Sequence, residues 1–250
     1  MKKDLAAFRY IDEKIIPLYI PDTIGSAKDY SVPQTQASTF SLFMKRALDV
    51  FSALLVLVFG IPFYLLVAAL IKLTSTGPVL FVQDRIGQDG IPFKFYKFRT
   101  MVQNNDQELH KKFATNFIKG KVMDETDPSN GQHVYKIVKD PRVTPIGRFL
   151  RRTSLDELPQ FINVLKGEMS LVGPRPPLSY ELAHYKEWHK KRLFAKPGLT
   201  GLWQVSGRST VPFEEMVALD LYYIENWSLL FDLKIILRTV PVMFFGFGAF

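Results

Sequence analysis

A single uncharged run, Val50 to Ile71 (VFSALLVLVFGIPFYLLVAALI), sets the terms for the whole chain. Lys45 and Arg46 precede it and Lys72 follows it. At a helical rise of about 1.5 Å per residue the run covers roughly 33 Å, close to the ~30 Å of bilayer hydrocarbon. A signal peptide is a poor reading, because the run starts far from Met1 and no small-residue cleavage site follows it. Three arrangements fit: a straight spanning helix, a hairpin that enters and leaves the same face, and a buried core helix. Gly60 and Pro62 favour the hairpin. They divide the run into halves, each about half a bilayer long, and a proline inside a helix removes a hydrogen bond and clashes with the preceding turn. Both flanks are basic, so both ends favour the cytoplasm.

The remaining composition excludes several chemistries. The chain has no cysteine, so disulfide scaffolds, thiolate metal sites and cysteine nucleophiles are out. His110, His133, His184 and His189 show no i,i+3 or i,i+4 pairing, which argues against a histidine zinc site. An apolar share of 47% is high for a soluble domain, and a charged share of 22% is too high for a bundle of membrane spans. The net charge is +8, and residues 1–44 are balanced, so the basic excess lies in 45–250.

The expected division is a disordered tail over 1–42, a re-entrant membrane helix over 43–73 and a cytoplasmic-face domain over 74–250. The expected fold is α+β and mostly helical, anchored by the proline-broken helix, with a small β-hairpin and amphipathic helices at the interface. Val79 to Arg85 and Phe93 to Thr100 read as strands around the turn Gly87-Gln88-Asp89-Gly90. The second strand, FKFYKFRT, interleaves aromatics with Lys94, Lys97 and Arg99. Such interleaving suits base stacking, but the glycines of an RNA-recognition motif are missing and no second stacking strand follows. We therefore expect no nucleic-acid partner and read the hairpin as interfacial. Residues 103–135 read as helix then loop, Lys136 to Arg152 as a basic stretch, and 155–166, 178–193, 212–225 and 230–239 as helices. The apolar end, Val240 to Phe250, fits a membrane interface or a second copy in a homo-oligomer.

Arg151-Arg152-Thr153-Ser154-Leu155-Asp156-Glu157-Leu158-Pro159-Gln160 carries the chemistry. Ser154 and Glu157 match an S-x-x-E capping box, so the acids have an ordinary structural explanation. Pro159 complicates it. With Ser154 as the cap, the proline falls deep in the helix; with Asp156 as the cap, it falls in the tolerated first turn. Both registers stay open. Functionally, a carboxylate at a helix start beside arginines stays ionised, and carboxylates can attack phosphorus. Mg²⁺ accepts carboxylate and phosphate oxygens together. Gly173-Pro174-Arg175-Pro176-Pro177 either presents one arginine rigidly, which suits phosphate, or is an ordinary turn, and the glycine-rich stretch Lys196 to Arg208, with Trp203 and Gln204, either holds a base and a phosphate or is a long loop. No P-loop occurs.

Together the segments SLDELPQ, NVLKGEMSLVGPRP, KPGLTGLWQVSGR, LDLYYIENWS and DLKI resemble the bacterial sugar transferases, the monotopic phosphoglycosyltransferases, over about Phe43 to Val240. The resemblance implies a bacterial inner-membrane enzyme on the cytoplasmic face, anchored by a re-entrant helix broken at a proline, here Pro62. It implies transfer of a sugar-1-phosphate from a UDP-sugar to polyprenol phosphate, with release of UMP and a need for Mg²⁺. It casts Asp156 as nucleophile and metal contact and Glu157 as its partner. Arg151 matches a basic residue near the dyad, Arg175 and Arg208 match basic positions near the donor's phosphates, and Lys97, Arg99 and Gln204 lie in matching segments, all six as candidate substrate contacts. Ile61 stands before Pro62 where some members have serine, so no hydroxyl there serves the freed carbonyl. Two other functions fit the residues alone: a metal-dependent glycosyltransferase that releases UDP, and a basic, membrane-anchored scaffold without turnover.

Overall fold

Ser38 opens the first described helix, its Oγ accepting the Ser41 N–H at 3.1 Å. The computed structural model describes residues 38–102, 108–121, 135 and 140–245. Helix α1 (Thr39–Phe59) thus starts ahead of the expected boundary at 43, and the rest of the expected tail lies outside the described residues. Gly60 separates α1 from α2 (Ile61–Thr74), and the two axes bend by 61°. Among the described residues no single helix is long and apolar enough to cross a membrane, but this bent pair passes together. The break sits at Gly60. A Cβ there would lie 2.4 Å from the Val56 carbonyl and 2.6 Å from the Tyr64 ring, so only glycine allows the approach. Pro62 is not inside a helix; it stands in the first turn of α2, where its missing N–H costs nothing. The Val58 carbonyl left over accepts from Gly60 N–H.

The core-helix alternative fails on exposure. Only Asp49 and Ala53 of α1, and Val67 and Ile71 of α2, are buried. Phe51, Phe59, Leu65 and Leu66 are each more than half exposed.

Strands β1 (Leu80–Ile86) and β2 (Pro92–Phe98) form the expected antiparallel hairpin, in register from Leu80 opposite Phe98 to Ile86 opposite Pro92. Phe93, Phe95 and Phe98 are buried, so these rings are core side chains rather than a stacking platform. Helix α3 (Glu108–Ile118) follows, then α4 (Pro145–Arg152), a helix where the sequence reading has only a basic stretch. Thr144 caps α4 through a 3.0 Å bond from Gly147 N–H, and Pro145 occupies its first turn.

The expected helix over 155–166 is two pieces. Leu155–Gln160 is a 3₁₀ turn, and α5 (Phe161–Lys166) is the α-helix, ended by Gly167 at φ 86°. Neither proposed capping register exists. Ser154 is left-handed at φ 56° with no side-chain capping bond. The proline is accommodated because the 3₁₀ turn carries few i→i−4 bonds for it to break. Strand β3 (Ser170–Val172) leads to α6 (Ser179–Leu182) and α7 (Glu187–Lys190), so the helix expected over 178–193 is also broken. Strand β4 (Gly198–Thr200) pairs parallel with β3, a pairing the sequence did not suggest. Helices α8 (Leu202–Ser206), α9 (Phe213–Glu225) and α10 (Leu229–Phe245) complete the described chain. Residues 246–250 of the apolar end lie outside it. The fold is therefore mostly helical, with one small antiparallel sheet and a short parallel pair.

Two apolar clusters position the site. The larger joins Phe93, Phe95, Val164, Leu171, Val217 and Ile235. The smaller joins Val67 and Ile71 of α2 to Phe98 and Leu150, with Leu155 and Leu158 of the 3₁₀ turn packed against it. Buried Asn163 staples α5 to β2, donating to the Lys94 carbonyl at 2.6 Å and accepting from Tyr96 N–H at 3.3 Å. At the other end, polar residues of α1 lock it to the body. Lys45 pairs with Asp232 at 2.6 Å, Arg46 caps the end of α5 through the Val164 and Leu165 carbonyls, and buried Asp49 accepts from Leu171 N–H and Ser170 Oγ.

Candidate active site

The 3₁₀ turn presents Asp156 and Glu157 between β2, α4 and the Gly173–Pro177 loop. Tyr64 of α2 donates to the Leu158 carbonyl at 3.1 Å, tying this turn to the bent helix pair. Lys97 of β2 reaches both acids: its Nζ is 2.6 Å from Glu157 Oε1 and 3.8 Å from Asp156 Oδ2. Arg175 Nη1 also donates to Glu157 Oε1, at 3.3 Å. Arg208 Nη2 donates to Ser154 Oγ at 2.9 Å, just ahead of the dyad. Both members of that bond are non-glycine residues in the left-handed region, Ser154 at φ 56° and Arg208 at φ 50°. Backbone strain of this kind persists where surrounding structure over-determines it and concentrates at functional sites. Arg151 of α4 turns toward Thr100, donating from Nε to Oγ1 at 2.9 Å, close enough that its charge acts on Asp156.

The two acids are not equivalent. Asp156 is 7% exposed. Burial raises its pKa, and Glu157 adds to the rise, against Lys97 and Arg151. The expected helix start is not what surrounds it: the α-helix begins only at Phe161, and the carboxyl is governed by its burial and by the cations beside it. Burial acts on Glu157 too, but Lys97 and Arg175 overcome it and hold that carboxyl well below the usual range. Lys97 is lowered by burial in turn, against the pull of both carboxylates. The cations thus hold the charge on Glu157, while burial works against the charge on Asp156.

Two expected residues sit elsewhere. Arg99 is buried and donates from Nη2 to Ser75 O and Oγ at 2.9 Å each, so it ties β2 to the end of α2 rather than reaching the dyad. Gln204 donates to the Leu199 carbonyl at 3.4 Å and makes no bond to the dyad among the described residues. Sequence reasoning missed the buried Arg85 and Arg192, which hold the Arg175 loop. The sequence signal available for them was weak, an arginine in a strand and another in a basic helix.

Among the described residues no group of three or more metal-ligating side chains converges. Mg²⁺ commonly needs fewer: one or two carboxylates plus substrate phosphates. Glu157 Oε1 is engaged by Lys97 and Arg175, which leaves Asp156 as the carboxylate best placed for that role. The donor set fits a cation brought in with a diphosphate and does not fit an all-protein cage.

This chain belongs to the bacterial sugar transferase family, whose sequence profile matches residues 40–246. It is 43% identical over 206 residues to the exopolysaccharide production protein ExoY of Sinorhizobium fredii, covering 82% of this chain and 88% of that protein. It is 42% identical over 215 residues to the undecaprenyl-phosphate galactose phosphotransferase of Salmonella typhimurium, covering 86% of this chain and 43% of that protein. It is 41% identical over 215 residues to the UDP-glucose:undecaprenyl-phosphate glucose-1-phosphate transferase of Escherichia coli, covering 82% and 41%. The chain thus spans most of the ExoY protein and less than half of the two phosphotransferases.

Proposed function

We propose that this chain transfers a sugar-1-phosphate from a UDP-sugar to undecaprenyl or another polyprenol phosphate, initiating exopolysaccharide or glycoconjugate assembly. The observation that carries this reading is Asp156 itself: a nearly buried carboxylate beside Lys97, with arginines from three separate segments around it. The names of the similar proteins support it.

The reaction has two steps. An Asp156 carboxylate oxygen attacks the β-phosphorus of the donor. The bond from that phosphorus to the oxygen bridging the two phosphates breaks, and UMP leaves with the electron pair. A phosphate oxygen of the polyprenol phosphate then attacks the same phosphorus and displaces the Asp156 carboxylate, giving a polyprenyl diphosphate sugar. Dividing the work lets one site serve a soluble donor and a lipid acceptor in turn. Arg175 and Arg208 offer donors for the charge that grows on the leaving phosphate. Glu157 holds Lys97 and Arg175 in place. Mg²⁺, when bound at Asp156, supplies charge neutralisation for the diphosphate.

The bent, exposed apolar pair α1–α2 fits insertion into one leaflet from the cytoplasmic face of the inner membrane, with Tyr64 linking the elbow to the dyad turn. Anionic donor, acceptor and leaflet all suit the charge of +8.

Rapid quenching after incubation with donor alone, followed by mass spectrometry, is expected to find the phosphosugar on Asp156. Asp156→Asn is expected to abolish both adduct and UMP while keeping the melting temperature. UDP as the main released nucleotide, or normal turnover in the variant, overturns the reading.

A further inference from the structure

The loop that carries Arg175 is unusual in its needs. Gly173-Pro174-Arg175-Pro176-Pro177 has three prolines and therefore few N–H groups, yet four consecutive carbonyls, 174 to 177, require donors. Each finds one outside the loop. Gly198 N–H serves Pro174 at 2.9 Å and Ile86 N–H serves Pro177 at 2.9 Å. The two carbonyls between them go to arginine side chains: Arg192 Nη2 donates to Arg175 O at 3.2 Å, and Arg85 Nη1 donates to Pro176 O at 3.0 Å.

Arg192 stands out. Its side chain is 2% exposed, and its charge is met by Asp220 of α9, itself 1% exposed. Nη1 donates to Tyr185 Oη at 3.2 Å. A buried ion pair is weak evidence for stability, because apolar residues of similar volume often serve as well. Its retention calls for another explanation, and the direction of the guanidinium supplies one. The same Nη2 that meets Asp220 also holds the backbone of Arg175, whose guanidinium reaches Glu157.

The geometry points to Arg192, neutralised by Asp220, as a positioning residue that fixes the Arg175 main chain and thereby aims the Arg175 guanidinium at Glu157 and the donor's diphosphate. This rests on the proposed sugar-phosphate transfer for the identity of the donor. Arg192 itself touches no reacting group. Arg85 is the second arm, attached one residue further along and held by Gln83 Oε1 at 3.0 and 3.2 Å.

The test removes the pair without stranding a buried charge. Arg192→Met alone leaves Asp220 unpaired, so the informative variant is Arg192→Met with Asp220→Leu, which replaces the pair by apolar residues of similar size. The melting temperature is expected to stay within a few degrees of wild type. The donor kcat/KM is expected to fall by about 10- to 100-fold, carried mostly by KM, as for a binding group displaced by about an ångström. In an Arg175→Ala background the same double change is expected to have no further effect, which separates aiming from general support of the fold. A crystal structure of the variant is expected to show Arg175 away from Glu157. An unchanged KM, or an equal loss with and without Arg175, overturns the inference. If the wild type releases no UMP from any UDP-sugar, the proposed function falls. The place of Arg175 in the variant crystal then decides the clamp: still on Glu157, the clamp is wrong as well.

Discussion

His189 lies fully buried among aromatic rings, edge-on to Tyr185, Trp188 and Phe213. Its Nδ1 accepts the Lys186 N–H at 3.1 Å, which requires the neutral ring. Burial lowers its pKa from 6.5 to about 4. A folded-state pKa below the unfolded value means the stabilisation is present above about pH 6.5 and disappears as pH falls toward 4. The loss is on the order of 3 kcal/mol for a shift of this size. Urea unfolding at pH 7 and pH 4.5 therefore needs His189→Leu beside the wild type. The variant is expected to show a smaller drop between the two pH values, and equal drops would contradict this account.

At the scale of elements, the elbow between α1 and α2 has two parts with different duties. Gly60 permits the close approach, and Pro62 prevents the helix from running straight on, since its ring would strike the carbonyl four residues back. Pro62→Ala is expected to let the pair straighten toward a spanning helix. With cysteine introduced at Ser41, labelling of wild-type protein is expected from the cytoplasmic side only, and of the Pro62→Ala chain from both sides. Labelling of the wild type from the periplasmic side alone rules out the one-leaflet arrangement. Much at this scale was legible in sequence. The hairpin followed from alternating aromatics around Gly87 to Gly90, and α9 and the start of α10 from apolar periodicity. Other elements were set by contacts no local pattern reveals. The 3₁₀ form of Leu155–Gln160 depends on left-handed Ser154 and its bond to Arg208, remote in sequence. The β3–β4 pairing joins short strands too brief for any period. Helix α4 carries a local signal of its own, since Thr144 before Pro145 is a cap followed by a first-turn proline, but the basic charge of the segment masks it. In the candidate site, local motifs single out Asp156, Glu157, Arg175 and Arg208, which the fold brings together, but not Arg192, whose contact exists only once the Arg175 loop is folded against it.

Taken whole, the molecule shows apolar surface on more than the bent pair. Leu230, Leu233, Leu237 and Val240 of α10 are exposed at roughly helical spacing, and Phe149 of α4 is 55% exposed. Exposed leucines in a row along one helix suit contact with lipid or a partner, and on the proposed membrane placement the basic excess would add attraction to anionic headgroups. Apolar burial does not weaken in salt as surface charge attraction does. Membranes bearing this chain, washed in concentrated NaCl, are expected to retain it, while mild detergent releases it. Release by salt alone would mean that charge, not insertion, holds the protein down.

Lys45, Arg46 and Asp49 leave α1 without a slack joint where it meets β3, α5 and α10. That apolar arm is thereby fixed to α5, which directly follows the turn bearing Asp156. If the arm rests in one leaflet, the depth of the surrounding acyl chains sets the height of Asp156 above the lipid phosphates. Changing acyl length then works as a dial on how easily an incoming phosphate meets the carboxylate, with no residue altered.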